Sequence, residues 1–151
     1  MRICLLVSDY NAFVTDRLEA GARAALVDAG LADSDVVALR VPGAYELAQG
    51  AQRVAETGEW SAVVCLGCLI RGETPHFDYI AQAVAEGITR AAQATGVPMA
   101  FGVLTTNTAE EALARAGDGS SNKGREAATA ALRMARLYAS LGSSPAPRGR
   151  A

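Results

Sequence analysis

The sequence has little basic charge, few cysteines and no long apolar run, and each shortage excludes a class of protein. The 14 lysines and arginines are outnumbered by 16 acidic residues, giving a net charge of -2. We therefore expect no nucleic-acid or anionic-membrane partner, because the chain lacks a broad cationic surface. No apolar run approaches the roughly 20 residues of a membrane span, and residues 1–7 are too short for a signal-peptide core. The expected location is the cytoplasm.

Cysteine is scarce, and the three that occur, Cys4, Cys65 and Cys68, lie inside apolar runs. An odd number in a chain without a secretory signal favours free, buried thiols over a disulfide framework. Cys65 and Cys68 form a C-x-x-C, but their run has the pattern of a strand, in which residues three apart point to opposite faces. We expect no redox or zinc site there.

Histidine and lysine each occur once, as His76 and Lys123. Metal sites built from several histidines are therefore excluded, and we expect no metal. Any histidine general base has to be His76, and any Schiff-base lysine has to be Lys123. Residues 67–74 match the spacing of a P-loop, but Glu73 stands where the phosphate-binding lysine belongs, which argues against nucleotide hydrolysis.

The length of 151 residues, half of them apolar, predicts one globular domain. Short apolar runs predict strands at residues 3–7, 36–39, 62–70 and 97–104. Helical spacing predicts helices at residues 11–30, 44–56, 75–95, 109–116 and 122–141. This alternation indicates a three-layer α/β/α sandwich around a four-stranded parallel sheet. We expect a domain over residues 1–141, a disordered tail over residues 142–151, and burial of further surface by oligomerisation.

Ligands of open parallel sheets bind at the carboxyl ends of the strands, which here lead into residues 8–11, 41–46, 71–76 and 105–108. In the third of these loops, Thr74 and Pro75 have the pattern of an N-cap and a first helical residue, which places His76 in the opening turn. Free N–H groups there attract phosphate and disfavour imidazolium, so a neutral His76 would accept a proton beside a bound phosphate. The alternative is a histidine that merely lies at a helix end.

Two cations and three aromatic residues are further candidates for a binding site. Arg115 is a candidate for bidentate phosphate binding and Lys123 for a point-charge contact, although both are also ordinary residues of solvated helix ends. The rings of Tyr10, Tyr45 and Phe101 suit stacking on a flat heterocycle, or simple packing.

Four segments together resemble the lumazine synthase family. They are VPGAYE at residues 41–46, GCLIRGETPHFDY at 67–79, FGVLTTNT at 101–108, and RAG at 115–117 followed by NKG at 122–124. The resemblance implies a flavodoxin-like domain over residues 1–141. It also implies a homo-oligomer, a pentamer or a multiple of it, with active sites between adjacent subunits, and riboflavin synthase as a candidate partner.

The resemblance implies a transferase that works without a cofactor or metal. Its small-molecule substrates are 5-amino-6-(D-ribitylamino)uracil and the phosphorylated four-carbon sugar 3,4-dihydroxy-2-butanone 4-phosphate. Its products are 6,7-dimethyl-8-ribityllumazine, phosphate and water, in riboflavin biosynthesis. Because the substrate's own amine forms the imine, the scarcity of lysine is no obstacle.

The resemblance also implies roles for individual residues. His76 shuttles protons and Arg115 assists departure of the phosphate. The pyrimidine and ribityl contacts come from Tyr10, Asn11, Ala44, Tyr45, Glu46, Leu69 and Ile70. Gly72, Glu73 and Thr74 form the phosphate cradle, while Phe101, Arg115 and Lys123 come from the neighbouring subunit.

Two alternatives use the same scaffold. One is a non-catalytic flavin-binding or container protein, suggested by the expected oligomer and by Tyr10. The other is the archaeal type of riboflavin synthase, which resembles this fold but lacks the R-G-x-T-x-H block in this form.

Overall fold

The sheet is fully parallel, as the alternation of strands and helices predicted. The computed structural model describes residues 1–142, in which the strand order is β2-β1-β3-β4. The strands are β1 (Ile3–Ser8), β2 (Val36–Val41), β3 (Ala62–Ile70) and β4 (Met99–Thr106). The α-helices of this part are α1 (Ala12–Asp28), α2 (Leu47–Glu56), α3 (His76–Thr95), α4 (Ala109–Ala114) and α5 (Lys123–Leu141), and single 3-10 turns occupy Asp33–Asp35 and Ala44–Glu46.

Helices cover both faces of the sheet, which explains why β1 is buried along its whole length. One core joins the sheet to α1, α4 and α5 through residues such as Leu18, Ala112 and Ala128. The other joins it to α2 and α3 through residues such as Leu47 and Val84. The predicted three-layer α/β/α class is therefore confirmed.

The cysteines lie where the strand pattern placed them. All three are free and buried. Cys65 belongs to the core under α2 and α3, and Cys68 to the core under α1 and α5. Residues three apart on β3 thus face opposite ways, and the C-x-x-C holds no disulfide. Within residues 1–142, no group of three or more His, Cys, Asp or Glu side chains is arranged to hold a metal ion.

The predicted boundaries differ from the structure at several element ends. The prediction that Thr74 caps the third helix is wrong, because Pro75 occupies the cap position and no side chain caps this end. A 3-10 turn precedes α2 where continuous helix was predicted from residue 44. β4 begins after Pro98, whose carbonyl accepts a hydrogen bond from Val63 N at 2.9 Å. Proline has no N–H of its own to extend the ladder.

Two predictions concern the ends of the chain and its surroundings. Of the predicted tail, residues 143–151 lie outside the described residues. Among residues 1–142, no helix is long and apolar enough to span a membrane. The single domain over residues 1–141 and the cytoplasmic location stay predictions.

Candidate functional site

A cavity of about 370 Å³ lies where β1, β2 and β3 end. We call it the His76 cavity, because the only histidine of the chain lines it. Most of the predicted site residues line it as well: Tyr10, Asn11, Ala44, Tyr45, Glu46, Leu69, Ile70, Gly72 and Thr74. The carboxyl end of a parallel sheet is the place where ligands of this architecture bind.

The loop after β1 is held in place by backbone hydrogen bonds to the loop after β2. Asp9 N donates to Val41 O at 2.8 Å, and Tyr10 N donates to Pro42 O at 3.0 Å. These bonds fix the backbone of Tyr10 while its ring stays 72% exposed. An exposed ring on a fixed backbone is suited to stacking on a flat ligand.

Asn11 connects the start of α1 to the end of β3. It adopts the left-handed conformation with φ 62°, which asparagine tolerates better than most residues. Its side-chain Nδ2 donates to Cys68 O at 2.9 Å. The Asn11 side chain therefore ties the loop after β1 to β3, and its role in substrate binding stays a prediction.

The N-terminus of α3 is the part of the His76 cavity that is suited to an anion. His76 is the first residue of α3 and is exposed. Because no side chain caps this helix, backbone N–H groups of its first turn are available to an anion, which the helix dipole also favours. Placement of His76 in the opening turn is thus confirmed, although through Pro75 rather than Thr74 at the cap.

Glu46 and Glu73 differ in their relation to this cavity. Glu46 is partly buried at the end of the 3-10 turn and lines the cavity. A Cβ on Gly43 would lie only 3.2 Å from Glu46 Oε1, so glycine leaves room for the carboxylate. Glu73 is exposed and is not among the residues that line the cavity. The contribution of Glu73 to the phosphate cradle stays a prediction.

A second cavity, of about 540 Å³, lies along β4 between this edge strand and α5. We call it the Arg115 cavity; Phe101, Arg115 and Lys123 line it. The Phe101 ring, on the edge strand, is 47% exposed. The lining residues of this cavity and of the His76 cavity share no member. Apart from Glu73, the predicted site residues therefore form two groups on two parts of the surface of one chain.

The two cations of the Arg115 cavity are not equally available to an anion. Lys123 Nζ lies 2.9 Å from Glu126 Oε2, so a carboxylate neighbour compensates its charge. Within residues 1–142, the side chain of Arg115 donates only a 3.4 Å hydrogen bond, from Nη1 to Glu111 O in the preceding turn. Arg115 is consequently the stronger candidate for binding a phosphate bidentately.

Two residues that contact these parts of the structure were not among the site residues predicted from the sequence. Glu126 lines the Arg115 cavity and pairs with Lys123. The i,i+3 spacing of the two residues in the sequence is the signal that could have predicted this ion pair. Arg71 reaches across to Asn107 and to Asp78. The contact with Asn107 joins segments far apart in the sequence, and no spacing rule reveals it.

The comparison with known families agrees with the motifs. A family model described as 6,7-dimethyl-8-ribityllumazine synthase matches residues 1–139. The match includes all four strands and every lining residue of both cavities. The resemblance found in the sequence is confirmed.

Proposed function

The chain belongs to the 6,7-dimethyl-8-ribityllumazine synthase family, and from this premise we propose that it performs the condensation for which the family is named. The family implies a transferase of riboflavin biosynthesis. The proposed substrates are 5-amino-6-(D-ribitylamino)uracil and 3,4-dihydroxy-2-butanone 4-phosphate. The proposed products are 6,7-dimethyl-8-ribityllumazine, phosphate and water, and riboflavin synthase is the proposed consumer of the lumazine.

One observation carries the proposal: His76 lies at the uncapped end of α3, inside the cavity where three strands end. A phosphate bound at the free N–H groups of this end would be next to the imidazole. Gly72 and Thr74 line the same cavity and supply a further N–H and a hydroxyl. A proton acceptor and a phosphate site are thus adjacent, as loss of phosphate from the four-carbon substrate requires.

The residues divide the proposed work between orientation and proton transfer. The primary amine of the uracil attacks the ketone to form an imine with loss of water, and phosphate then leaves the four-carbon unit by elimination. The resulting enol tautomerises to a second carbonyl, which the ribitylamino nitrogen attacks with loss of a second water to close the lumazine ring. His76 moves protons in these steps, a role typically worth about 10²–10⁴-fold. The ring of Tyr10 and the carboxylate of Glu46 orient the uracil and its ribityl chain. Holding two reactants together contributes at least as much as proton transfer.

We further propose that a complete site forms between two copies of the chain, in a pentamer or a multiple of it. The His76 cavity of one copy would meet the Arg115 cavity of the next, so that Phe101, Arg115 and Lys123 complete the site. Two observations support this arrangement. The two cavities have no lining residue in common, and Phe101 is exposed on an edge strand.

The test is lumazine formation from the two purified substrates, followed by absorbance and fluorescence against a blank without protein, because the condensation proceeds slowly by itself. The wild-type protein is expected to exceed the blank clearly. His76→Ala is expected to lose about 10²-fold in kcat, with residual activity from substrate orientation. A wild-type rate equal to the blank would overturn the proposal and favour the flavin-binding alternative, which riboflavin titration then tests.

A further inference from the structure

Arg71 is the first residue after β3, and its side chain joins separate parts of the chain. Nε donates to Asn107 Oδ1 at 3.1 Å, in the segment between β4 and α4. Nη2 donates to Asp78 Oδ1 at 3.2 Å, in the first turn of α3. The guanidinium carbon also lies 4.7 Å from the centroid of the Phe77 ring. One planar group therefore contacts both the start of α3 and the loop after β4.

The acceptor of the Nε bond is itself well supported. Asn107 N donates to Glu111 Oε2 at 3.0 Å. Thr106 Oγ1 donates to Thr108 O at 2.9 Å, and Thr108 caps α4 through Glu111 N. The backbone N–H of Arg71 donates to Thr106 O at 2.8 Å. Arg71 is thus anchored to a short turn that three further hydrogen bonds hold in shape.

The residues that follow Arg71 have little support of their own. Gly72, Glu73 and Thr74 are exposed, and within residues 1–142 no backbone–backbone hydrogen bond of the loops involves them. No side chain caps α3 either. The position of residues 72–76 therefore depends on how their two ends are held. Arg71 is one of these ends, and its side chain holds the other end through Phe77 and Asp78.

On the basis of the proposed function, we propose that Arg71 is a positioning residue for phosphate binding. Its guanidinium fixes residues 72–76 in the arrangement that presents the α3 N-terminus and His76 to the phosphate of the four-carbon substrate. Asn107 accepts from Nε and Asp78 from Nη2, and the Asp78 carboxylate compensates the charge, so the contacts of Arg71 act on the loop rather than on a ligand. A lysine cannot replace it, because a single ammonium lacks the planar fork that donates in two directions while stacking on a ring.

Steady-state kinetics of Arg71→Met, Arg71→Lys and Asn107→Ala test the proposal. The expected result is an increase of about tenfold in KM for the phosphorylated substrate, with KM for the ribitylaminouracil unchanged. Arg71→Lys is expected to resemble Arg71→Met. The double variant Arg71→Met/Asn107→Ala is expected to be no worse than Arg71→Met alone, because the two residues share one interaction. Arg53→Met, an exposed arginine on α2, is the matched control.

A second measurement does not need activity. His76 is the only histidine, so its ring gives a single, unambiguous set of NMR signals that can be followed during titration with inorganic phosphate. Arg71→Met is expected to need about tenfold more phosphate for the same shift, and Arg53→Met to match the wild type. Asn107→Ala replaces Arg71→Met in this titration if the latter does not fold.

The outcomes separate this proposal from the proposed function. A wild type that forms no lumazine but shows the phosphate shift, weakened by Arg71→Met, would refute the reaction and support the positioning role. Full activity and an unchanged phosphate titration in Arg71→Met would overturn the positioning role alone. Wild-type kinetics in Arg71→Lys would also overturn it, since a charge without the planar fork would then suffice. A His76 ring that does not respond to phosphate in the wild type would overturn it as well.

Discussion

The backbone N–H of Lys123 donates a 2.9 Å hydrogen bond to the carbonyl oxygen of Arg115. This bond closes the turn between α4 and α5 and fixes the spacing of the two cations in the Arg115 cavity. Asn122 braces the turn from within, because its Nδ2 donates to Gly117 O at 3.0 Å and to Arg17 O at 3.2 Å on α1. The backbone position of Arg115 is therefore set by the packing of α1 against α5.

We predict that Arg115→Ala lowers kcat/KM for lumazine formation by about 10²-fold, because it removes a charge-assisted, bidentate ligand of the phosphate. Arg115→Lys is expected to recover only part of this loss, since an ammonium makes a point contact. Initial rates measured against a blank without protein check both variants, with Arg53→Ala as the control. A wild-type rate for Arg115→Ala would refute its assigned role.

Much of the fold could be predicted because it depends on local patterns. Runs such as residues 62–70 are apolar on both faces, which only a strand covered by helices on both sides accommodates. The opposite orientation of Cys65 and Cys68 follows from the same period of two. The ends of elements were less predictable. α3 begins at His76, with Pro75 at the cap position. Local propensity does not determine which of Thr74 and Pro75 takes that position, because it also depends on the path of the chain after β3.

The candidate site could be predicted in part. The residues of the His76 cavity follow strands, and the rule that ligands bind at carboxyl ends indicates them without any family knowledge. Arg115 and Phe101 were assigned to the neighbouring subunit only through the resemblance. Their separation from the His76 cavity is a property of the folded chain. The contact of Arg71 with Asn107 depends on the pairing of β3 with β4, which local patterns do not specify.

We predict that two variants of low activity regain activity when they assemble together. A His76→Ala chain keeps its Arg115 cavity, and an Arg115→Ala chain keeps its His76 cavity. When equal numbers of the two chains are arranged at random in one ring, half of the His76 cavities and half of the Arg115 cavities are intact. About a quarter of the junctions would therefore combine two intact halves. The measurement is lumazine formation by co-expressed variants carrying different affinity tags.

Each variant alone, and the two proteins mixed after separate assembly, are the controls for this experiment. Recovery toward a quarter of the wild-type rate only after co-expression would support a site between copies. No gain in activity by co-assembled chains, with co-assembly shown by co-purification of both tags, would mean that one chain supplies both halves of its own site.

We predict that Gly124→Ala strongly destabilises the protein. A Cβ at this position of α5 would collide with the backbone carbonyl of Leu18 on α1, which cannot move aside as a flexible side chain would. Overpacking typically costs about 1–3 kcal/mol of unfolding free energy. Urea unfolding measures the loss. Gly117→Ala is the matched control, because its nearest heavy atom would be Ala114 O at 4.0 Å. Equal stability of the two variants would contradict the close packing of α1 on α5.

We predict that the buried thiols make the protein less stable in alkaline solution. Burial, with a smaller contribution from the nearby Cys4 thiol, raises the pKa of Cys65 to about 12. Burial also raises the pKa of Cys4 to about 12. In the unfolded chain thiols titrate near 8.5. The folded state therefore retains protons that the unfolded state loses. The stabilisation from each protonated thiol is complete at a pH below the thiol's pKa in the unfolded chain. It is lost as the pH rises toward the thiol's pKa in the folded chain. The unfolding free energy should fall by up to about 1.4 kcal/mol per pH unit for each thiol.

Denaturant unfolding across pH 8 to 11 tests this expectation through the slope of stability against pH. Cys65→Ala is expected to have a shallower slope than the wild type, because one titrating group is gone from the unfolded state. Val64→Ala, the neighbouring buried position on β3, removes core volume without removing a titrating group. It should lower stability at every pH and leave the slope as in the wild type. Parallel curves for Cys65→Ala and Val64→Ala would mean that Cys65 contributes through packing alone.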